Sequence, residues 1–340
     1  MLSGLRSLFS AAPSTAIDLS VVVVAYDMAR ELPRTLQSLS RSYQRDISHL
    51  NYEVIVVDNG SPQAVSAETV SEHGPEFRLL RIDAASASPG PAINRGVALA
   101  RGKCLGIIID GARVLSPGVL HWADQALRLN CGAVVAALGF DLGPEHPRLS
   151  SHRGSTREIV DQLLPQIAGR DDGYRVFGIA SLAGSARFGL HGPLAECNCL
   201  FVSRALFALS GGYEEGFTSA GGGLINLEFY QRLCAAAGYQ VYHLAGEGCF
   251  HQIHGGVTTG GSQAETRKFE DLLAEYQSVT GRKFKHLDYR PILLGNVPDA
   301  AKPLIARGLE EMLRDCSLTD RHHQHMSRAG LDYPIVDKAG

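Results

Sequence analysis

Two aspartates, Asp58 and Asp110, each close an apolar run, at Val54–Asp58 and at Leu105–Asp110. Farther along, Cys249, His251 and His254 fall within one short stretch. Sulfur and imidazole nitrogen are acceptable zinc ligands, and Cys197 or Cys199 could add to them, but the spacings match no common structural zinc motif. Gly221–Gly223 could bring backbone amides up to a sugar or phosphate at a helix start, or could form a loop with no ligand. The Gly255–Gly261 stretch, with Thr258 and Thr259, reads as a cover able to order over a ligand and exclude water. His322, His323 and His325 stand in polar surroundings that favour a solvated tail over a metal site.

Such groups act only where a framework holds them, and the framework is written in short apolar runs. Leu19–Ala25, Val54–Asp58 and Leu105–Asp110, with a weaker run at Phe77–Asp83, are the continuous type expected of strands buried on both faces of a parallel sheet. Gly132–Leu138 and Tyr239–His243 suggest further strands. Between them, Arg30–Leu39 and Pro91–Ala100 carry apolar residues at helical spacing. Ser116 is an N-cap candidate, with Pro117 at N1, for a helix carrying Val119, Leu120, Ala123 and Leu127. In an open α/β sheet, ligands bind in the crevice beyond the carboxyl ends of the strands, which is where Asp58 and Asp110 fall.

The chain of 340 residues is long enough to bury a large core. A formal net charge of −3 with no basic stripe gives no nucleic-acid footprint. Seven scattered cysteines, an odd number, argue for a reducing compartment rather than a disulfide framework. No apolar run approaches the ~20 residues that span a bilayer. The leader, residues 1–17, is too short and interrupted in its apolar part for a signal peptide and reads as a flexible terminus, although Leu2, Leu5, Leu8 and Phe9 could form one apolar face. Beyond Gly261, Gln263–Val279 and Pro303–Leu313 read as helices, Gly281 being a C-terminal cap for the first.

Ser20–Tyr26, Glu53–Ser61, Pro91–Gly102 and Ile107–Ala112, taken in order, resemble the family-2 glycosyltransferases of the GT-A fold. The resemblance continues through Gly211–Phe217 and the helix ending near Arg232, and covers about Asp18 to Gly256. It implies a Rossmann-related α/β sheet, mostly parallel and covered by helices, over residues 18–256. Residues 257–340 would be a helical C-terminal extension and tail. By the same resemblance Ala25, Tyr26 and Asp58 would hold the base and ribose of a nucleotide, Asn94 would sit beside it, and Asp110 would lie at the ribose, diphosphate and metal. On the residues alone, Asp58 could instead cap a turn and Asn94 fix a helix start.

Two departures from the family pattern bear on chemistry. The Asp-x-Asp motif supplies two carboxylates to a divalent cation, Mn²⁺ or Mg²⁺, and here its second position is Ala112. His251, in a loop where related enzymes place a metal- or phosphate-facing histidine, is the candidate replacement, with His254 able to substitute; imidazole tilts the choice toward Mn²⁺. Inverting relatives also carry an acidic pair whose aspartate deprotonates the acceptor, and Ile225 and Asn226 occupy those positions. The acceptor could already be ionised, Glu214, Glu215 or Glu228 could act from a shifted position, or catalysis could be lost. Glu214 and Glu215 are preferred because, by the resemblance, their stretch after Gly211–Tyr213 shapes the acceptor side, whereas Glu228 could simply face solvent on an amphipathic helix, or pair with Arg232 one turn away.

These readings lead to an expected inverting glycosyltransferase that moves a sugar from a nucleotide donor, a UDP-sugar, to a glycan or lipid-linked acceptor. It would be cytoplasmic, with peripheral contact at the inner face of a membrane and homo-oligomerisation both compatible. The alternative is a catalytically silent nucleotide-sugar-binding or scaffold protein.

Overall fold

The computed structural model describes residues 16–143, 158, 160–162, 164, 173–254 and 263–328, with side chains omitted at 263–268 and 316–328. The leader up to residue 15, the Gly255–Gly261 stretch and the side chains of His322, His323 and His325 lie outside the described residues. So does the boundary expected at residue 256.

Among the described residues, ten strands form one mixed sheet. Its main path runs β10 (Ile292–Gly295), β9 (Val241–His251), β6 (Val134–Leu142), β8 (Cys199–Ser203), β4 (Cys104–Ile108), β1 (Leu19–Ala25), β2 (Tyr52–Asp58) and β3 (Phe77–Arg81). Short β5 (Arg113–Leu115) pairs with β9, and β7 (Ala180–Leu182) pairs with β6. The half from β4 to β3 is parallel throughout, as the continuous apolar runs require, because every residue of β1 and β2 is buried. β8 enters antiparallel between β4 and β6.

Alternation along the strands divides the core in two. Val22, Val24, Ile55 and Val57 point into one apolar cluster, while Val21, Val23, Val54 and Val56 point into the other. The second face is covered by α1 (Leu32–Leu39), α2 (Ala67–Ser71) and α4 (Val119–Leu129) through Leu36, Val70 and Leu120. The first is covered by α3 (Gly90–Leu99), α5 (Arg204–Leu209), α6 (Ile225–Ala236), α7 (Gln263–Thr280) and α8 (Lys302–Arg328) through Ile93, Phe207, Phe229, Tyr276 and Leu304. The segment after residue 256 is therefore not helical alone, since β10 extends the sheet beside β9.

One helix start differs from expectation. α4 begins after Gly118 rather than Ser116. The Ser116 hydroxyl donates to the buried Glu247 carboxylate at 2.5 Å, and that carboxylate also accepts from the Gly118 amide at 3.0 Å. A carboxylate from β9 thus satisfies an orphan amide at the helix N-terminus, where the helix dipole favours it.

Candidate active site

β4 ends at Ile108, and the chain then turns through Asp110–Ala112 before β5. The turn is pinned on three sides. The Ile109 amide donates to the Asn198 carbonyl at 3.2 Å, Thr35 on α1 donates to the Gly111 carbonyl at 2.7 Å, and the Gln252 amide donates to the Ala112 carbonyl at 2.8 Å. The Ala112 amide in turn donates to Asp110 Oδ1 at 2.9 Å, so the residue at the missing carboxylate position fixes the remaining carboxylate.

Strand register builds the rest of the cluster. His251, the last residue of β9, stands opposite Arg113 of β5 on one side and Asp141 of β6 on the other. Arg113 holds Asp110 Oδ2 through Nε and Nη2, both at 2.9 Å. His251 Nε2 lies 3.7 Å from that same oxygen, its Nδ1 lies 3.6 Å from Asp141 Oδ1, and its Nε2 is 3.1 Å from His254 Nε2. Asp110, His251 and His254 offer ligand atoms all within 4.8 Å of one another.

Burial raises the Asp110 carboxyl, but Arg113 and the two imidazoles outweigh it and hold the group well below the usual carboxylate range. Burial likewise lowers Arg113, and Asp110 reverses this and keeps the guanidinium charged. His254 is pushed down, chiefly by burial, toward the neutral form a metal ligand needs. One carboxylate oxygen and two imidazole nitrogens therefore fit a divalent cation of borderline hardness. The guanidinium on Asp110 Oδ2 shares that oxygen and partly neutralises it.

Among the described residues, the cysteines do not join a metal site. Cys197, Cys199 and Cys249 are core residues, and burial drives the Cys197 and Cys199 thiols well above their ordinary values. The metal-capable cluster found among the described residues contains no cysteine.

The nucleotide-side residues separate. Ala25 ends β1 in the core, while Tyr26 is 54% exposed at the strand end. Asp58 is completely buried, accepting from the Ser61 amide at 3.0 Å, the Val65 amide at 3.0 Å and Arg81 Nη1 at 2.5 Å. Those donors overcome the upward push of burial and keep it ionised. Its expected contact with base or ribose thus has no open face: the carboxylate shapes the loop after β2. Asn94 exchanges hydrogen bonds with the Tyr213 backbone and donates to Glu215 Oε1 at 2.9 Å, which ties α3 to the loop after α5 rather than fixing a helix start.

Of the carboxylates expected to serve as base, Glu214 and Glu215 lie exposed on that loop, Glu214 accepting from the Gly216 amide at 3.1 Å. Glu228 is 3% exposed and clamped by Arg232, with contacts of 2.8 and 2.6 Å to its two oxygens. Asn226, in the first turn of α6, donates to Glu196 Oε2 at 3.1 Å and to Asn198 Oδ1 at 2.9 Å. Gly221–Gly223 all have positive φ, and a Cβ at Gly222 or Gly223 would also meet Pro89, or Leu272 and Glu275, so backbone conformation accounts for all three glycines and close packing for the last two.

Sequence reasoning missed Arg113, Asp141, Glu196 and Asn198. Arg113 had a faint signal as a charged residue in an apolar run three positions after Asp110. The others are set by strand pairing and by a segment without periodicity.

Residues 20–177 match the sequence model of glycosyl transferase family 2. No curated protein sequence matches the chain. Among solved structures, residues 1–349 of S. aureus TarS in complex with UDP-GlcNAc are similar with a TM-score of 0.50 and 15% identity, over 78% of this chain and 68% of that one. The mannosyltransferase PcManGT from Pyrobaculum calidifontis, in complex with GDP-Man and Mn2+, gives a TM-score of 0.47 and 16% identity over 95% of this chain and 78% of that one. The TarS likeness is one of fold.

Proposed function

From a chain that carries a family-2 glycosyltransferase domain over residues 20–177, we propose an enzyme that transfers a sugar from a UDP-sugar to an acceptor hydroxyl on a glycan or lipid-linked molecule, with inversion at the anomeric carbon. The observation that carries this reading is the Asp110–Arg113–His251–His254 cluster at the carboxyl end of β4, where an open α/β sheet binds its ligands. UDP-sugars come first among donors because the fold neighbour TarS was solved with UDP-GlcNAc.

Asp110, His251 and His254 would hold a divalent cation, Mn²⁺ in preference to Mg²⁺, whose chemistry is to neutralise the leaving diphosphate. The protein's own groups prepare that position. Asp141 lies 3.6 Å from His251 Nδ1 while Nε2 faces His254, so its negative charge favours the proton on Nδ1 and leaves Nε2 for the metal. Arg113, always charged, adds a fixed positive charge beside the place where negative charge develops on the departing phosphate. The absence of a described helix long and apolar enough to cross a membrane and the free thiols of the described cysteines support action in the cytoplasm, with any membrane contact peripheral.

Calorimetric titration of UDP, UDP-glucose, UDP-GlcNAc and GDP-mannose, with Mn²⁺ and with EDTA, tests the reading. A UDP-sugar is expected to bind best and to need Mn²⁺. Asp110→Asn and His251→Ala should each lose the Mn²⁺-dependent part, and His254→Ala less of it. Full affinity in EDTA, unchanged by all three variants, would remove the metal from the site; no nucleotide binding at all would remove the donor.

A further inference from the structure

Resting on the donor reading above, one carboxylate near the cluster stands apart from the rest by how it is held. Glu196 precedes β8 in a segment anchored from both sides. The Leu194 amide donates to the Tyr289 hydroxyl at 3.0 Å, the Ala195 amide donates to the Ser185 carbonyl at 3.0 Å, and the Asn198 carbonyl accepts from Ile109, next to Asp110. Its two oxygens meet only neutral donors among the hydrogen bonds described: Asn198 Nδ2 to Oε1 at 3.3 Å and Asn226 Nδ2 to Oε2 at 3.1 Å. The bond from Ile109 to Asn198, at 3.2 Å, joins the Glu196 segment to the turn that carries Asp110, and the Glu196 charge adds to those that raise Arg113.

That setting suits a proton acceptor. Glu228, by contrast, is fully engaged by Arg232 and buried. Glu214 and Glu215 sit on an exposed loop bound to α3. Amide donors orient a carboxylate without binding it as an ion pair, and Glu196 remains partly exposed. Asn226 Oδ1, buried and without a hydrogen-bond partner in the structure, leaves a spare acceptor next to Glu196.

We propose that Glu196 is the catalytic base, oriented by the side-chain amides of Asn198 and Asn226, and that it accepts the proton of the acceptor hydroxyl. As the acceptor oxygen bonds to the anomeric carbon, the bond from that carbon to the diphosphate oxygen breaks. The electron pair leaves with the nucleoside diphosphate, and the hydroxyl proton passes to a Glu196 oxygen and then to solvent. Asn226 is thereby a positioning residue, and the carboxylate has moved from a helix to the strand-entry segment.

The test measures UDP release from UDP-glucose, UDP-galactose and UDP-GlcNAc with Mn²⁺, using water and methanol as acceptors, in the full chain and in Glu196→Gln and Glu196→Ala. UDP binding by calorimetry reports that each variant is folded. The expected result is unchanged UDP binding, release slowed by on the order of 10²–10⁴-fold, and loss of the acid limb of the pH profile. Sodium azide, an anionic nucleophile with no proton to remove, should restore release in both variants with a glycosyl azide as product. Wild-type turnover in Glu196→Gln, or a loss that azide does not rescue, overturns the assignment while leaving donor binding standing. A wild-type chain that binds UDP-sugars but never releases UDP overturns the base and the transfer reaction and leaves donor binding standing, whereas one that binds none of them overturns the donor reading as well.

Discussion

Asp58 and Asn226 show how a side chain's partners decide its part. With three protein donors on Asp58, the change Asp58→Ala leaves the buried Ser61 amide and the half-buried Val65 amide without their acceptor. The expected loss is roughly 1–3 kcal/mol in urea unfolding, with nucleotide affinity reduced only through loosening of the loop. Undiminished stability together with weaker UDP binding would return Asp58 to direct ligand contact. Asn226→Asp has a different consequence, because Asn226 Nδ2 lies 3.1 Å from Glu196. Two carboxylates at that distance share a proton, so the pH at which a base becomes available should rise, and turnover at neutral pH should fall. Faster transfer at neutral pH in this variant would show that position 226 itself is the place for the base. At His251, Asp141→Asn should weaken Mn²⁺-dependent UDP binding by about 10–100-fold while metal-free binding is unaltered; equal binding with and without the substitution would mean the 3.6 Å contact does not orient the imidazole.

Elements join these residues through a few buried polar contacts, of which Glu247 is the most exposed to pH. It links β9 to the start of α4 and to the Tyr174 hydroxyl at 2.7 Å, and burial pushes its pKa up to about 7 against those bonds. A carboxyl raised in this way binds more protons folded than unfolded. Its stabilising contribution is full below the ordinary carboxyl range and disappears as pH rises through about 7. Thermal unfolding from pH 5 to 8 should therefore show a fall in stability that Glu247→Gln largely abolishes; an identical pH slope in that variant would assign the fall elsewhere. The elements themselves were largely readable: β1, β2 and α1 follow from unbroken apolar runs and helical spacing, which are local properties. The start of α4 was not, because its capping carboxylate arrives from a strand more than a hundred positions away. For the same reason Asp110 and His251 were legible as residue types, whereas Arg113, Asp141 and Glu196 needed the register of β5, β6 and β8 to bring them in.

In the whole molecule, the segment matched by the family, residues 20–177, stops short of β8, β9 and β10. β8 lies between β4 and β6, and β9 carries His251. A fragment ending at residue 177 should thus lack both the middle of the sheet and half of the cluster. It is expected to be unfolded or aggregated by circular dichroism and gel filtration, and a monomeric fragment with a cooperative melt would show that the first part folds alone. The strand order also bears on synthesis. β6 leaves the ribosome well before β8, so the edges that β4 and β6 will present to it stay unpaired for several seconds at ~5–20 residues per second. Open apolar edges are templates for pairing with other chains. The nascent protein is then most dependent on chaperones during that interval, and slow codons placed between residues 143 and 199 would lengthen its exposure and lower the soluble yield.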